Sequence, residues 1–164
     1  RRRHTRYPLV TGVQTCALPI SLELVNKKID EVQIVFNGAG ASAISCAGLY
    51  IRMGAKPENL VMCDSRGVIR ADRNDLDENK KPFATGKNIH TLAEAMKGAD
   101  VFVGLSKGNV VSKEMVQSMG KNPVVFALAN PDPEIAYADA IAARPDVIMA
   151  TGRSDHPKIG RAHV

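Results

Sequence analysis

Five short apolar segments recur along the chain, and stretches of helical composition lie between them. The segments are rich in Val, Ile and Phe, and they cover residues 32–36, 60–64, 100–103, 123–128 and 147–151. A strand that is apolar on both faces is typical of a parallel sheet, because helices cover both faces of such a sheet. The alternation therefore predicts an α/β fold with a doubly wound parallel sheet of about five strands and flanking helices.

A glycine turn follows the first apolar segment. Residues 38–43 have the pattern G-x-G-x-x-A, and a helix is predicted from Ala41 to about Met53. Gly38 permits a tight turn, and Gly40 lets the backbone approach a pyrophosphate. The N-terminus of the helix offers free N–H groups and the positive end of its dipole to the phosphates. Strand, turn and helix together predict a Rossmann-type dinucleotide-binding site.

Small or polar residues follow every predicted strand, at the edge where a sheet of this kind binds its ligand. They are Gly38, Asp64, Gly104 with Ser106, Asn130 and Gly152. At the end of the second strand, the carboxylate of Asp64 can accept hydrogen bonds from a ribose diol, as in sites for NAD. Arg66 lies two residues later and suits the 2′-phosphate of NADP. The sequence thus favours NAD slightly and leaves NADP open.

Spacing and capping signals predict the other helices. Leu22, Val25 and Ile29 recur at helical spacing and indicate the end of a helix that enters the domain. Thr91 and Glu94 have the spacing of a capping box, which begins a helix. The remaining predicted helices span residues 113–119 and 137–143.

The positive charge of the chain lies at its two ends. The formal net charge is +5, and residues 1–3, Arg6 and Arg161 account for all of it. A basic arm of this kind would ordinarily suggest a nucleic-acid partner. However, residues 10–20 read as the translation of a short-read sequencing adapter, and the residues before them resemble the translated flow-cell primer. Residues 159–164 read as the same adapter on the opposite strand.

This interpretation divides the chain into three segments. We expect residues 1–20 to form a disordered, adapter-derived tail, residues 21–158 a truncated dinucleotide-binding domain, and residues 159–164 a second adapter-derived tail. The tails should contribute nothing to stability. Without them, Lys and Arg equal Asp and Glu in number, so no nucleic-acid partner is expected.

Several other kinds of site and partner are not indicated. No apolar run approaches the roughly 18 residues of a membrane span, so we expect no membrane partner and a cytoplasmic location. The three cysteines lack the Cys-x-x-Cys spacing of a zinc site. His90 and His156 have no partner at metal-ligand spacing, and the charges of residues 72–81 are interpreted as a solvated loop.

Five segments carry a resemblance to a known family. They are residues 35–41, 62–69, 99–106, 126–134 and 150–155. The most specific are Asn-Pro-Asp-Pro-Glu at 130–134 and Thr-Gly-Arg-Ser-Asp at 151–155. Through essentially all of residues 21–158, the chain resembles the cofactor-binding domain of bacterial malic enzymes. That family oxidises malate to pyruvate and carbon dioxide with NAD or NADP and a divalent metal, Mg²⁺ or Mn²⁺.

The resemblance implies roles for individual residues. Together with Arg66 from the strand-end argument, the expected cofactor-binding residues are Gly38, Gly40, Ala41, Ser42, Asp64, Arg66, Ser106 and Asn130. The first four would lie at the pyrophosphate and Asp64 at the adenosine ribose. Ser106 would lie near the cofactor, and Asn130 beside the nicotinamide and the substrate malate.

The resemblance also implies what the chain lacks. The family's general-base Lys, general-acid Tyr and acidic metal ligands precede the first strand, and none can be placed in residues 21–30. A family loop that touches malate would follow where residues 159–164 stand. We therefore expect the chain to bind a dinucleotide without turning over malate, with no catalytic residue or metal ligand of its own. The intact enzyme is expected to be a homo-oligomer.

Two alternatives remain open from the sequence. An amino-acid dehydrogenase also places a dinucleotide domain after a catalytic domain. A nucleotide-sensing module without catalysis would need the same strand-end site, because that site only has to bind. Residues upstream of the first strand would distinguish the three, since only a malic enzyme needs the Tyr, the Lys and the acidic metal cluster there.

Overall fold

Six strands form one sheet in the computed structural model, which describes residues 9–152 and the side chains from Ala17 onward. The strands are β1 (Ile34–Asn37), β2 (Leu60–Asp64), β3 (Gly67–Val68), β4 (Val101–Gly104), β5 (Val124–Ala127) and β6 (Ile148–Thr151). The helices are α1 (Leu9–Leu24), α2 (Ala41–Arg52), α3 (Leu92–Met96), α4 (Lys113–Gln117) and α5 (Tyr137–Ala143). The strand order is β3-β2-β1-β4-β5-β6.

All neighbouring strands are parallel except β3, which is antiparallel to β2. The predicted α/β fold and its five parallel strands are confirmed. The order is that of the Rossmann fold, with a short antiparallel strand at one edge. This sixth strand was not predicted, because two residues give no periodic signal. It forms where the chain turns back after Asp64 and Gly67 pairs with it.

Helices cover both faces of the sheet, as a doubly wound topology requires. One buried cluster joins Phe36 of β1 to residues of α1 and α2, such as Leu18 and Tyr50. The other joins Val35 of β1 to residues of α3, α4 and α5, such as Met96. Adjacent strand residues point to opposite faces, so each of the five parallel strands contributes to both clusters. This explains why the strands read as continuous apolar runs.

The N-terminal helix differs from two predictions. Residues 9–20, for which we predicted a disordered tail, form most of α1, and Ala17 and Leu18 are buried. Ala17 and Leu18 belong to the buried cluster that also contains Tyr50 of α2, so this part of the adapter-like segment has a folded environment. The helix was also predicted to extend to Ile29, but it ends at Leu24, and Asn26 has a positive φ of 53°. The adapter origin of the segment stays a prediction.

The remaining helix boundaries follow local signals. Thr91 and Glu94 form the predicted capping box at the start of α3, with each side chain accepting from the backbone of the other. Helix α2 begins at the predicted residue and ends one residue before Met53. Within residues 9–152, no helix is both long and apolar enough to cross a membrane.

Candidate functional site

A cleft lies at the carboxyl ends of β1 and β4, where the strand order reverses. In open α/β sheets this is where ligands bind. The cleft has a volume of about 610 Å³, which lies in the range of small-molecule sites. The structure therefore brings together four of the predicted residues, since Gly38, Gly40, Asp64 and Ser106 all line the cleft.

The two glycines of the turn have different surroundings. Gly38 has a φ of +128°, and a Cβ atom there would lie 2.9 Å from the carbonyl oxygen of Leu105. Gly40 has a φ of −81° and is the N-cap of α2. A Cβ atom at Gly40 would meet no protein atom within 4 Å. The protein itself therefore requires glycine at position 38, whereas at position 40 the open space suits the close approach of a ligand.

The N-terminus of α2 is open to an anion. Ala41 and Ser42 begin the helix, no side chain caps this end, and its first turn contains no acidic residue. The first N–H groups of a helix have no acceptor within it, and they carry the positive end of the helix dipole. The helix begins directly after Gly40, which lines the cleft, although Ala41 and Ser42 are not themselves among the lining residues. The arrangement fits the pyrophosphate of a dinucleotide.

A buried amide connects the glycine turn to the loop after β4. The side-chain nitrogen of Asn37 donates to the hydroxyl of Ser106 at 2.8 Å. The backbone N–H of Leu105 donates to the carbonyl of Asn37, also at 2.8 Å. These bonds hold Ser106 beside the turn. Asn37 also lines the cleft and was not predicted as a site residue, although a polar residue at the end of an apolar strand is a signal for one.

Asp64 lies in a basic environment. Both of its oxygens accept from the guanidinium of Arg73, each at 3.0 Å, and the backbone N–H of Arg66 donates at 2.9 Å. The ammonium of Lys80 lies 3.5 Å away. Burial opposes ionisation of Asp64, but the hydrogen bonds from Arg73 and Arg66 outweigh it, so its pKa lies below the ordinary value. The carboxylate is thus charged and already paired.

The other basic residues differ from their predicted roles. Lys80, which we interpreted as a solvated loop residue, lines the cleft. Arg66 is 72% exposed and pairs with Asp75 at 2.8 Å; it is not among the residues that line the cleft. Arg73 was not predicted, since its position beside Asp64 depends on how the polar loop folds back. Lys80 is therefore a better-placed candidate for the predicted 2′-phosphate contact, whereas Arg73 pairs with Asp64 and Asp75 and, like Arg66, does not line the cleft.

Asn130 lies in the loop after β5. It is exposed, its peptide bond to Pro131 is cis, and it does not line the cleft. Glu134, four residues later, is fully buried and accepts the backbone N–H of Ser106 at 3.2 Å. Burial raises the pKa of Glu134, although backbone N–H groups favour its ionised form. Glu134 belongs to the Asn-Pro-Asp-Pro-Glu motif, but nothing in the spacing of that motif predicts that its side chain is buried.

No metal centre is present in the part of the chain that the structure describes. No group of three or more His, Cys, Asp or Glu side chains there could hold an ion. His90 lies against Arg70 instead, and His156 is outside the described residues. Cys46 and Cys63 are buried, and burial raises the pKa of Cys63 to about 12.

Proteins of known family match nearly the whole chain. The family described as "Malic enzyme, NAD binding domain" matches residues 10–158. The NADP-dependent malic enzyme of Halomonas elongata is 51% identical over 148 residues, which are 90% of this chain and 35% of that enzyme. The chain thus spans about a third of the length of this relative.

Solved structures agree with the family match. The malic enzyme of Entamoeba histolytica superposes with a TM-score of 0.82 at 38% identity, over 91% of this chain and 32% of that one. The NAD-dependent malic enzyme of Thermotoga maritima gives 0.78 at 36% identity, over 90% and 40%. These matches favour the malic enzyme interpretation over an amino-acid dehydrogenase or a sensing module. The chain belongs to the family of malic enzyme NAD-binding domains.

Proposed function

We propose that the chain is the cofactor-binding part of a malic enzyme, and that the intact protein oxidises malate to pyruvate and carbon dioxide with NAD or NADP. The observation that carries the proposal is the glycine turn at the uncapped N-terminus of α2, which lines the cleft where the strand order reverses. The identity of 51% with an NADP-dependent malic enzyme supports it.

The cleft residues bind and orient the cofactor. The space above Gly40 and the free N–H groups of α2 hold the pyrophosphate, and Asp64 faces the adenosine ribose. Ser106, held by Asn37, lies at the end of β4 on the side of the nicotinamide half. Asn130 follows β5, further along the same edge of the sheet. A nicotinamide cofactor held by these residues would supply the acceptor for the hydride from C2 of malate.

The described residues fit the dinucleotide but not the divalent metal. They contain no cluster of metal-ligating side chains, so we assign them no step that involves Mg²⁺ or Mn²⁺. The chain matches 35% of the Halomonas enzyme. We propose that the metal ligands and the acid and base for malate belong to other parts of the intact protein.

The charges around Asp64 favour NADP over NAD. Both oxygens of Asp64 are engaged by Arg73, so a ribose diol would have to displace that pairing. A 2′-phosphate instead adds negative charge beside Lys80, which lines the cleft and is 23% exposed. Phosphate with a partly buried guanidinium or ammonium forms strong charge-assisted hydrogen bonds. We therefore propose NADP as the preferred cofactor.

Binding of NADPH and NADH to the whole chain tests the cofactor preference. We expect NADPH to bind at least about tenfold more tightly, because a charge-assisted phosphate contact contributes on the order of 1.5–3 kcal/mol. Lys80→Ala should reduce that ratio. Lys81→Ala is the matched control, because Lys81 is exposed, pairs with Glu78 and does not line the cleft. Equal affinities in the unchanged chain would contradict the preference.

A pair of glycine variants tests the location of the site. Gly40→Ala places a methyl group where the pyrophosphate would approach, so NADPH affinity should fall by about tenfold or more. Gly86→Ala is the control, because a Cβ atom there also meets no atom within 4 Å and Gly86 does not line the cleft. The proposed site is wrong if Gly40→Ala binds NADPH as tightly as Gly86→Ala does.

A further inference from the structure

One buried side chain joins the loops that follow β4 and β5. The carboxyl group of Glu134 accepts the N–H of Ser106 on Oε1 at 3.2 Å and the N–H of Ala129 on Oε2 at 3.1 Å. Ser106 belongs to the first loop and Ala129 to the second. Glu134 is fully buried, so water does not compete for these bonds. The two oxygens therefore fix the separation of the two loops.

The surroundings of Glu134 leave little freedom for another arrangement. The backbone N–H of Asn109 donates to the carbonyl of Pro133 at 2.9 Å, and that of Val111 donates to the carbonyl of Glu134 at 3.0 Å. A Cβ atom on Gly104 would overlap the carboxyl group of Glu134. Glycine at the end of β4 is thus what makes room for the carboxyl group between the loops.

We propose that Glu134 is a positioning residue for the nicotinamide half of the site. It sets the backbone of Ser106 relative to the loop of Asn130, while it touches neither cofactor nor substrate itself. This inference rests on the proposed function, because it assumes that these loops contact the nicotinamide half. The adenosine end of the site, at Asp64, lies on the other side of β1 and does not depend on Glu134.

The chemistry requires two acceptor oxygens. In Glu134→Gln the side chain keeps its shape, but one oxygen becomes an NH₂ group that faces a backbone N–H. If the amide rotates, its NH₂ group faces the N–H of Ala129 instead of the N–H of Ser106, so two donors still face each other. A buried donor without an acceptor is costly, so the loops would separate while the rest of the sheet stays paired.

Two ligands separate the halves of the site. NADPH probes the whole dinucleotide site, and adenosine 2′,5′-bisphosphate probes its adenosine end alone. In Glu134→Gln we expect the affinity for NADPH to fall by about tenfold or more, since small displacements of contact groups are expensive. The affinity for the bisphosphate should stay within about twofold, because its contacts are unchanged. Glu58→Gln is the matched control, because Glu58 is exposed in the short 3-10 helix that precedes β2.

A second variant keeps the test decisive if Glu134→Gln does not fold. Gly104→Ala displaces the carboxyl group of Glu134 without changing its chemistry. It should therefore give the same selective loss of NADPH affinity, together with a smaller increase in the fluorescence of the nicotinamide of NADPH on binding. Equal losses for both ligands, or no loss for either, in the variant that folds would overturn the positioning role. If the unchanged chain bound neither ligand, the proposed function would fail and this inference with it.

Discussion

At the scale of single residues, two neighbouring glycines illustrate how fold and function impose separate requirements. Gly38 has a left-handed backbone and packs against the carbonyl of Leu105. Gly40 has an ordinary backbone conformation and faces open space. A sequence motif cannot distinguish these two roles, because both positions are simply glycine. The distinction predicts that the same substitution to alanine affects stability at position 38 and hardly at all at position 40.

We expect Gly38→Ala to destabilise the chain. The substitution forces a Cβ atom onto a φ of +128° and within 2.9 Å of the Leu105 oxygen, and such strain costs roughly 1–3 kcal/mol. Gly40→Ala should change the free energy of unfolding by no more than about 0.5 kcal/mol. Urea unfolding of both variants measures the difference. A Gly38→Ala variant as stable as Gly40→Ala would show that the turn does not need its left-handed glycine.

Asp64 should make stability depend on acid pH. Its pKa is lowered in the folded chain, whereas in the unfolded chain it is about 3.9. The carboxylate therefore stabilises the fold above about pH 4, and this contribution is lost as the pH falls through the folded pKa. Asp64→Asn should lower the free energy of unfolding at pH 7 by about 1–2 kcal/mol, because Arg73 loses a charged partner. The difference from the unchanged chain should shrink towards pH 3.

The control for this experiment is Asp139→Asn. Asp139 pairs with Lys113, and both side chains are 49% exposed, so the pair should contribute less than about 1 kcal/mol. Urea midpoints of the three proteins between pH 3 and pH 7 give the comparison. If Asp64→Asn and Asp139→Asn had the same pH profile, the lowered pKa of Asp64 would not contribute to stability.

The site residues that could be predicted from the sequence are those that a local sequence pattern defines. Gly38, Gly40 and Asp64 follow strands, and the end of a strand can be located from its apolar run. Arg73 and Glu134 were missed because Arg73 reaches Asp64 nine residues earlier and Glu134 reaches Ser106 28 residues earlier. Their contacts depend on how each loop folds back over the edge of the sheet, and residue spacing does not predict the path of a loop.

At the scale of elements, predictability depended on how much of an element is buried. The five parallel strands are buried on both faces, so they read as apolar runs and were predicted. The capping box of α3 was predicted because Thr91 and Glu94 satisfy the helix end locally. The two-residue β3 carries no such signal. Only the end of helix α1 was predicted, because residues 9–20 resemble an adapter translation, although Ala17 and Leu18 of that segment are buried in the cluster that contains Tyr50 of α2.

Two leucines of α1 test whether this helix belongs to the core. Leu18 is fully buried and Leu24 is 68% exposed. We expect Leu18→Ala to lower the free energy of unfolding by about 2–4 kcal/mol, as for other buried leucines. Leu24→Ala should cost no more than about 0.5 kcal/mol. Equal, small effects in urea unfolding would favour the original expectation that residues 1–20 do not contribute to stability.

At the scale of the whole molecule, the sheet carries a core on each face and a cleft at one edge. Periodicity alone predicted the two-sided architecture, because parallel strands can be buried only between two layers of helices. Periodicity could not predict the volume of the cleft or the pairing of Asp64 with Arg73, because both depend on the conformations of loops. The architecture accounts for cofactor binding, but the described residues place no metal cluster beside the cleft.

Because the described residues include a cofactor cleft but no metal cluster, we expect the chain to bind the dinucleotide without turning over malate. With NADP⁺, malate and Mn²⁺, the chain should give no rise in absorbance at 340 nm, while NADPH still binds. The reason is that hydride transfer and decarboxylation need a base, an acid and a metal, and none of these is assigned to the described residues. Malate should also leave the affinity for NADPH unchanged. Malate-dependent reduction that Gly40→Ala abolishes and Gly86→Ala retains would contradict this, since it would place the complete reaction within the chain.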